Sequence, residues 1–231
     1  DRIREANTRK TEGNDYFRKG DWQEALSAYE SAIAYVPQKQ ISLEDKRSDP
    51  PQELGDARER DVEGDTEFPR DPPAADGSED DLDPETEKAC AKLRAILNAN
   101  IGACYVRLGE HKLAVDACTR ALKDDPDYVK ALQRRAVSNE ILNTWSSLSS
   151  AQEDYNALLK LLPVGQESRD IQNKLQKLKP RLEATQKRET TEMLDKLKTL
   201  GDSFLGNFGL STDNFKFVPN GQGGYSVNFS Q

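Results

Sequence analysis

Apolar residues recur along the chain at helical spacing, and small residues and prolines interrupt them at repeated intervals. The first copy of this pattern is Gly13, Tyr16, Ala25, Tyr29, Ala32 and Pro37, and the second is Gly102, Tyr105, Ala114, Cys118, Ala121 and Pro126. A third, degenerate copy is Ala136, Ala151, Tyr155 and Pro163, with about three extra residues around Asn143. Recurrence of the same relative offsets within each copy predicts a helical repeat protein.

Each copy predicts two short antiparallel helices. Glycine or alanine at the eighth repeat position and alanine at the twentieth lie where the two helices approach most closely, so a larger side chain would push them apart. The aromatic residue at the eleventh position fills the space between the helices, and the closing proline lacks an N–H and ends the second helix. The expected fold class is therefore all-α, a solenoid of three helical hairpins.

A long helical pattern follows the third copy, from about Glu167 to Leu200, and Pro180 should bend or split it. Such a helix would cap the apolar edge of the last repeat. Apolar residues then alternate on both sides of Asn220, which predicts a short hairpin or an extended tail. The predicted boundaries are repeat 1 at 1–37, an insertion at 38–88, repeats 2 and 3 at 89–163, the capping helix at 164–200 and an aromatic-rich segment at 201–231.

The insertion differs in composition from the repeats. It is rich in proline and glycine, and residues 38–87 contain 18 acidic and 6 basic side chains. Such a segment buries too little apolar surface to offset the entropy of ordering, so we expect it to be disordered. The remainder of the chain is then mildly basic.

The overall composition argues against several classes of function. The net charge is -8 and the pI is about 4.9, which opposes binding to nucleic acid or to an anionic membrane surface. No apolar run reaches the roughly eighteen residues of a membrane span. Cys90, Cys104 and Cys118 lack metal-ligand spacing. We expect a cytoplasmic protein with no metal, no cofactor and no enzymatic activity.

Five polar residues fall at outward positions of the first helix of each repeat, which we call its A helix. They are Lys10 and Asn14, Asn100, and Lys130 and Arg134. The two pairs are spaced four residues apart, so each lies on one helix face. Ammonium, guanidinium and amide N–H groups are the donors that carboxylates prefer. The set therefore suits a ligand with carboxylate groups; the alternative is a solvated, charged helix surface.

The repeat spacing resembles the tetratricopeptide repeat (TPR) family. The five polar residues are similar to the two-carboxylate clamp of chaperone-binding TPR proteins. That resemblance implies that Lys10, Asn14, Asn100, Lys130 and Arg134 bind the Glu-Glu-Val-Asp tail of heat shock protein 90 or heat shock protein 70. The protein would then be a co-chaperone or adaptor.

The carboxyl-terminal sequence resembles the tetratricopeptide repeat protein 1 family. The similar stretches are residues 197–215 and the closing Gly-Tyr-Ser-Val-Asn-Phe at 224–229. This resemblance implies a small GTPase or another client as a second partner, bound through the carboxyl-terminal segment. An alternative function is a TPR scaffold that binds a helical or GTPase-type signalling partner without recognising a chaperone tail.

Overall fold

The computed structural model describes residues 2–37, 83–206, 211–212, 215–219 and 225–229. Within these ranges the chain forms seven helices and two strands. They are α1 (Arg2–Lys19), α2 (Trp22–Ala34), α3 (Pro84–Leu108), α4 (His111–Asp124), α5 (Val129–Leu142), α6 (Trp145–Leu161), α7 (Gln166–Gly206), β1 (Phe215–Pro219) and β2 (Tyr225–Phe229). None of the described helices combines the length and the apolar character that crossing a membrane requires.

The helices stack in sequence order as three hairpins. Each helix from α1 to α6 packs against the next one, and α7 packs on α6. The A helices α1, α3 and α5 also contact their neighbours in the A layer, so they line one side of the stack. The predicted fold class, a helical-hairpin solenoid with a carboxyl-terminal capping helix and hairpin, is confirmed.

Small residues set the spacing inside each hairpin. A Cβ built on Gly13 would lie 2.6 Å from Cε1 of Tyr29, and one built on Gly102 would lie 2.7 Å from Sγ of Cys118. Burial is the main cause that raises the pKa of Cys118 to about 11, so this thiol acts as a small apolar group. The predicted close approach of paired helices is therefore present in the first two repeats.

The aromatic residue at the eleventh repeat position packs between helices in the second repeat but not in the first, because Tyr105 contacts the core that α2 and α3 share and Tyr16 does not. Tyr16 is 38% exposed, and Tyr105 is half-buried with its hydroxyl 3.3 Å from Glu30. The buried aromatics are Tyr29 and Tyr155, on the second helix of their repeats. An aromatic ring on the second helix reaches the space that the glycine or alanine of the first helix leaves empty.

Helix α3 begins earlier than the predicted boundary at residue 89. Asp83 caps it, because its carboxylate accepts hydrogen bonds from the backbone N–H groups of Glu85 and Thr86, at 3.1 and 3.0 Å. Pro84 occupies the first helical turn, where a missing N–H costs nothing. Most of the segment for which we predict disorder, residues 38–82, lies outside the described residues. Residues 84–88 of that segment are helical, so the prediction of disorder is wrong for them.

Arg94 joins the end of the first repeat to the second. Its side chain is 4% exposed and forms ion pairs of 2.9 Å with both Glu87 and Asp124. Its Nη1 also donates a hydrogen bond of 2.6 Å to the carbonyl of Pro37. Burial opposes the charge of Arg94, but the two carboxylates outweigh it and the pKa of the guanidinium is raised. The described residues before and after the interval 38–82 thus meet at one buried cation.

Helix α7 runs through Pro180 without a break, so the predicted split does not occur. Pro180 and Gln176, whose carbonyl loses its helical N–H partner, are both exposed, and water can satisfy that carbonyl. Ile171 and Leu178 are buried against the third repeat. The first half of α7 is therefore the predicted cap.

The second half of α7 carries an exposed apolar stripe. Met193, Leu194, Leu197 and Leu200 are each more than half exposed. Near the end of α7, Asp202 accepts hydrogen bonds from the backbone N–H and the hydroxyl of Thr212, at 2.6 and 2.7 Å. Strands β1 and β2 then pair antiparallel, with residue 215 opposite 229 and 219 opposite 225. The predicted hairpin is confirmed.

Candidate functional site: a cationic pocket in the groove

Helix α1 carries three polar side chains one turn apart on one face. Lys10, Asn14 and Arg18 follow each other at intervals of four residues, and residues four apart share a helix face. The neighbouring Gly13 brings this helix against the ring of Tyr29 in α2. The lack of a side chain at Gly13 therefore determines how close this polar face lies to α2.

The hydroxyl of Tyr29 orients the amide of Asn14, because it donates a hydrogen bond of 2.7 Å to Oδ1 of that amide. The amide nitrogen, with two N–H donors, is left for a ligand. Burial and the neighbouring Cys104 raise the pKa of Tyr29 to about 12, while the charges of Arg134 and Arg18 oppose the rise. The phenol therefore stays protonated at neutral pH and keeps donating.

Arg134 is held at the groove by a backbone carbonyl. Its Nη1 donates a hydrogen bond of 2.8 Å to the carbonyl of Ala99 in α3, which ties the half-buried side chain to the neighbouring A helix. Among the described residues, no carboxylate forms an ion pair with Arg134. The remaining N–H donors of its guanidinium can therefore bind a carboxylate from another molecule.

Three of the five predicted binding residues line one pocket. Asn14, Asn100 and Arg134 come from α1, α3 and α5, and the pocket they share has a volume of about 390 Å³. Its lining is Asn14, Phe17, Arg18, Tyr29, Asn100, Ala103 and Arg134. Among the described residues, no aspartate or glutamate belongs to this lining, so none of them competes there with a bound anion.

The two predicted lysines lie outside the lining of this pocket. Nζ of the half-buried Lys10 donates a hydrogen bond of 2.6 Å to Oδ1 of Asn7, on the same helix. Lys130 is exposed in the first turn of α5. Each lysine still shares a helix face with a lining residue four positions along the chain. Their part in binding stays a prediction.

Sequence reasoning missed four residues of the pocket, namely Phe17, Arg18, Tyr29 and Ala103. Phe17 supplies apolar carbon and packs edge-to-face on Trp22, with ring centroids 4.8 Å apart. Tyr29 looked like a packing residue only, and its bond to Asn14 carries no sequence signal. Arg18 could have been found, because it follows Asn14 by four residues as Asn14 follows Lys10.

Arg135, the neighbour of Arg134, faces the interior. Its Nε and Nη2 donate hydrogen bonds of 3.0 and 2.7 Å to the carboxylate of Asp154. Its Nη1 donates to Oγ1 of Thr119 at 3.2 Å. The side chain of Asp154 is 2% exposed. Hydrogen bonds to Asp154 raise the pKa of Arg135, although burial opposes the charge.

Several proteins are similar to this chain over part of its length. No protein-family model matches it. A human protein described as FK506-binding protein-like is 36% identical over 85 residues, which is 37% of this chain and 23% of that protein. The chain spans about a quarter or less of the length of the FK506-binding protein-like relatives it matches.

Two solved structures share the arrangement of helices. The carboxyl-terminal TPR-containing domain of a Plasmodium falciparum FK506-binding protein has a TM-score of 0.53 at 21% identity, covering 80% of this chain and 93% of that one. Yeast Tom70 has a TM-score of 0.50 at 20% identity, covering 83% of this chain and 27% of that one. Together with the stacked hairpins and their buried small residues, these likenesses show that the chain has the fold of a TPR domain.

Proposed function

We propose that the protein is a non-enzymatic cytoplasmic adaptor that binds the Glu-Glu-Val-Asp tail of heat shock protein 90 or heat shock protein 70 in its groove. The observation that supports this most is the convergence of Asn14, Asn100 and Arg134 from three separate helices on one pocket. Donors on three helices surround a small anion from several sides. A chain terminus that carries two carboxylates matches that arrangement.

The burial and the hydrogen bonding of Arg134 support the same function. Arg134 is desolvated in part, yet its hydrogen bond goes to a neutral carbonyl. A partly buried cation without a counter-ion gains more from an external carboxylate than a fully hydrated one does. Lys130 lies one turn away on α5 and adds a mobile charge to the same face.

A titration with a fluorescently labelled peptide that ends in Glu-Glu-Val-Asp tests this function. We expect saturable binding by the wild-type protein and at least tenfold weaker binding when both Lys130 and Arg134 are replaced by alanine. The matched peptide control has an amidated terminus, which removes one of the two carboxylates. The matched protein control is Lys112→Ala, an exposed lysine on α4 that does not line the pocket.

Absence of saturable binding by the wild-type protein would reject the chaperone-tail function. The scaffold alternative would then be preferred, and the exposed stripe at Met193, Leu194, Leu197 and Leu200 is the feature of the described chain that favours it. An apolar helix face of this kind suits a helical partner or a client. A small GTPase as that partner stays a prediction from the sequence resemblance.

A further inference from the structure

The pocket contains a second arginine, Arg18, beside the residues that the sequence pattern singled out. It lies in the last turn of α1, whereas Arg134 lies on α5. The charges of both arginines act on the phenol of Tyr29, which lines the same pocket. The pocket therefore presents two cations, one from α1 and one from α5.

The partners of Arg18 are easily replaced. Its Nη2 pairs with Oδ1 of Asp15, three residues earlier on the same helix, and the two side chains are 75% and 52% exposed. An exposed pair of this kind contributes little to stability, because water screens it and both side chains lose freedom. The Nε of Arg18 lies 3.4 Å from the carbonyl of Asn14. An incoming carboxylate can thus take the place of Asp15 without leaving a buried charge.

The spacing along α1 indicates which carboxylate Arg18 meets. Asn14 and Arg18 are four residues apart, which is a rise of about 6 Å along a helix. In an extended peptide, side chains two residues apart lie on the same side and are separated by about 6.7 Å. A peptide that runs along α1 with its last residue at Asn14 therefore places the side chain two residues upstream near Arg18.

We infer that Arg18 binds the side-chain carboxylate of the antepenultimate residue of the acidic tail and selects an acidic residue there. In a tail that ends Glu-Glu-Val-Asp, this residue is the second glutamate. The inference rests on the proposed function, because it assigns one more residue of the same peptide to the same groove. The first glutamate of the motif alternates to the opposite side of an extended peptide and does not meet Arg18.

A double-mutant cycle between protein and peptide tests this assignment. Replacing the second glutamate of the peptide by glutamine is expected to weaken binding to the wild-type protein about threefold, as for an exposed charge pair. The Arg18→Gln variant is expected to bind both peptides equally. Replacing the first glutamate by glutamine is expected to have the same effect on wild-type protein and on Arg18→Gln.

The matched control is Lys19→Gln. It removes the same charge from the next position of α1, but Lys19 does not line the pocket and its Nζ lies over the ring of Tyr16, 5.7 Å from the centroid. This variant should keep most of the threefold discrimination of the wild type, since salt and water screen an exposed charge that does not contact the peptide.

Two results would overturn the assignment while leaving the proposed function intact. The first is a discrimination that persists in Arg18→Gln, and the second is a discrimination that Lys19→Gln loses to the same extent. Failure of the wild-type protein to bind the parent peptide is a different outcome, since it rejects the function and the assignment together. Circular dichroism of each variant establishes that the groove is folded at the titration temperature.

Discussion

Arg134 and Arg135 are neighbours in α5, yet they belong to two different regions of the molecule. Arg135 faces the hairpin interior and makes a two-point bond with the buried carboxylate of Asp154. Arg134 faces the groove, and its bond goes to the carbonyl of Ala99. Consecutive residues of a helix point about 100° apart, so one short sequence serves both regions.

The difference shows how the fold separates structural charge from binding charge. The interior cations Arg94 and Arg135 both have acidic partners within the chain. The groove cation Arg134 has none among the described residues. A charge whose partner is internal stabilises the fold, whereas a charge whose partner must come from outside stabilises a complex. Substitution of the first kind of charge should lower stability, and substitution of the second kind should weaken binding.

Replacing Arg135 by leucine should have the largest effect. The change leaves the carboxylate of Asp154 buried without a partner, and we expect the free energy of unfolding to fall by about 3–5 kcal/mol. Urea unfolding followed by circular dichroism measures the loss. The double variant Arg135→Leu with Asp154→Leu should recover much of it. A loss below about 1 kcal/mol would contradict the interior role.

The same variant has an expected pH dependence. Burial already raises the pKa of Asp154 above its ordinary value, and the hydrogen bonds from Arg135 oppose this rise. Without Arg135 the pKa rises further, so the folded state binds a proton more tightly than the unfolded state. The stability of Arg135→Leu should therefore increase as the pH falls from 7 towards the raised pKa. A loss of stability in this interval would contradict the explanation.

Gly13 contacts a residue of the core that also orients the pocket, so Gly13→Ala should affect both stability and binding. The new Cβ would lie 2.6 Å from the ring of Tyr29, so the ring must move. We expect a loss of about 2 kcal/mol in unfolding free energy and weaker peptide binding, because Asn14 loses its hydrogen bond from Tyr29. The control is Gly206→Ala, where a Cβ meets nothing within 4 Å. Undisturbed stability in Gly13→Ala would show that this contact is not close.

Arg134→Gln should affect binding and leave the fold nearly unchanged. We expect the dissociation constant for the Glu-Glu-Val-Asp peptide to rise about tenfold, or about 1.4 kcal/mol. The unfolding free energy should change by no more than about 1 kcal/mol, since one hydrogen bond to Ala99 is lost. Calorimetric titration and urea unfolding separate the two quantities. A large loss of stability in Arg134→Gln would contradict the proposal that Arg134, unlike Arg135, contributes little to the fold.

Tyr29→Phe should have the smallest effect. Removing the hydroxyl frees the amide of Asn14 to rotate, and we expect binding to weaken about threefold and unfolding free energy to fall by about 1 kcal/mol. The control is Tyr16→Phe, because Tyr16 is partly exposed and does not line the pocket. Equal effects of the two substitutions on binding would mean that the Tyr29 hydroxyl does not orient the site.

The fold could be predicted from the sequence because small residues recur at the positions where two helices pack closely. Gly13 and Gly102 mark close helix contacts, and both contacts are present. The predicted start of α3 is too late because residues 84–88 were grouped with the acidic insertion on composition alone, although a helix-start motif precedes them. Asp83 followed by Pro84 is a regular helix start. The burial of Tyr29 in place of Tyr16 depends on how two helices face each other, which the spacing alone does not specify.

The site was predictable only in part. Repeat register identified Asn14, Asn100 and Arg134, and the structure places all three in one pocket. Register cannot say how far a long side chain reaches. Lys10 and Lys130 lie outside the lining of this pocket, and their predicted part in peptide binding stays a prediction. It also cannot distinguish Arg134 from Arg135, since that requires knowing that Asp154 lies opposite one of them.

The buried guanidinium of Arg94 has a consequence for what the protein can carry. It bonds to the carbonyl of Pro37 and to the side chain of Glu87 at once, so the described residues on either side of the interval 38–82 are held together at one buried cation. The entropic cost of closing a longer excursion grows only slowly with its length. We therefore expect that a fluorescent reporter or a whole second domain can be inserted between repeats 1 and 2 without loss of the folded groove.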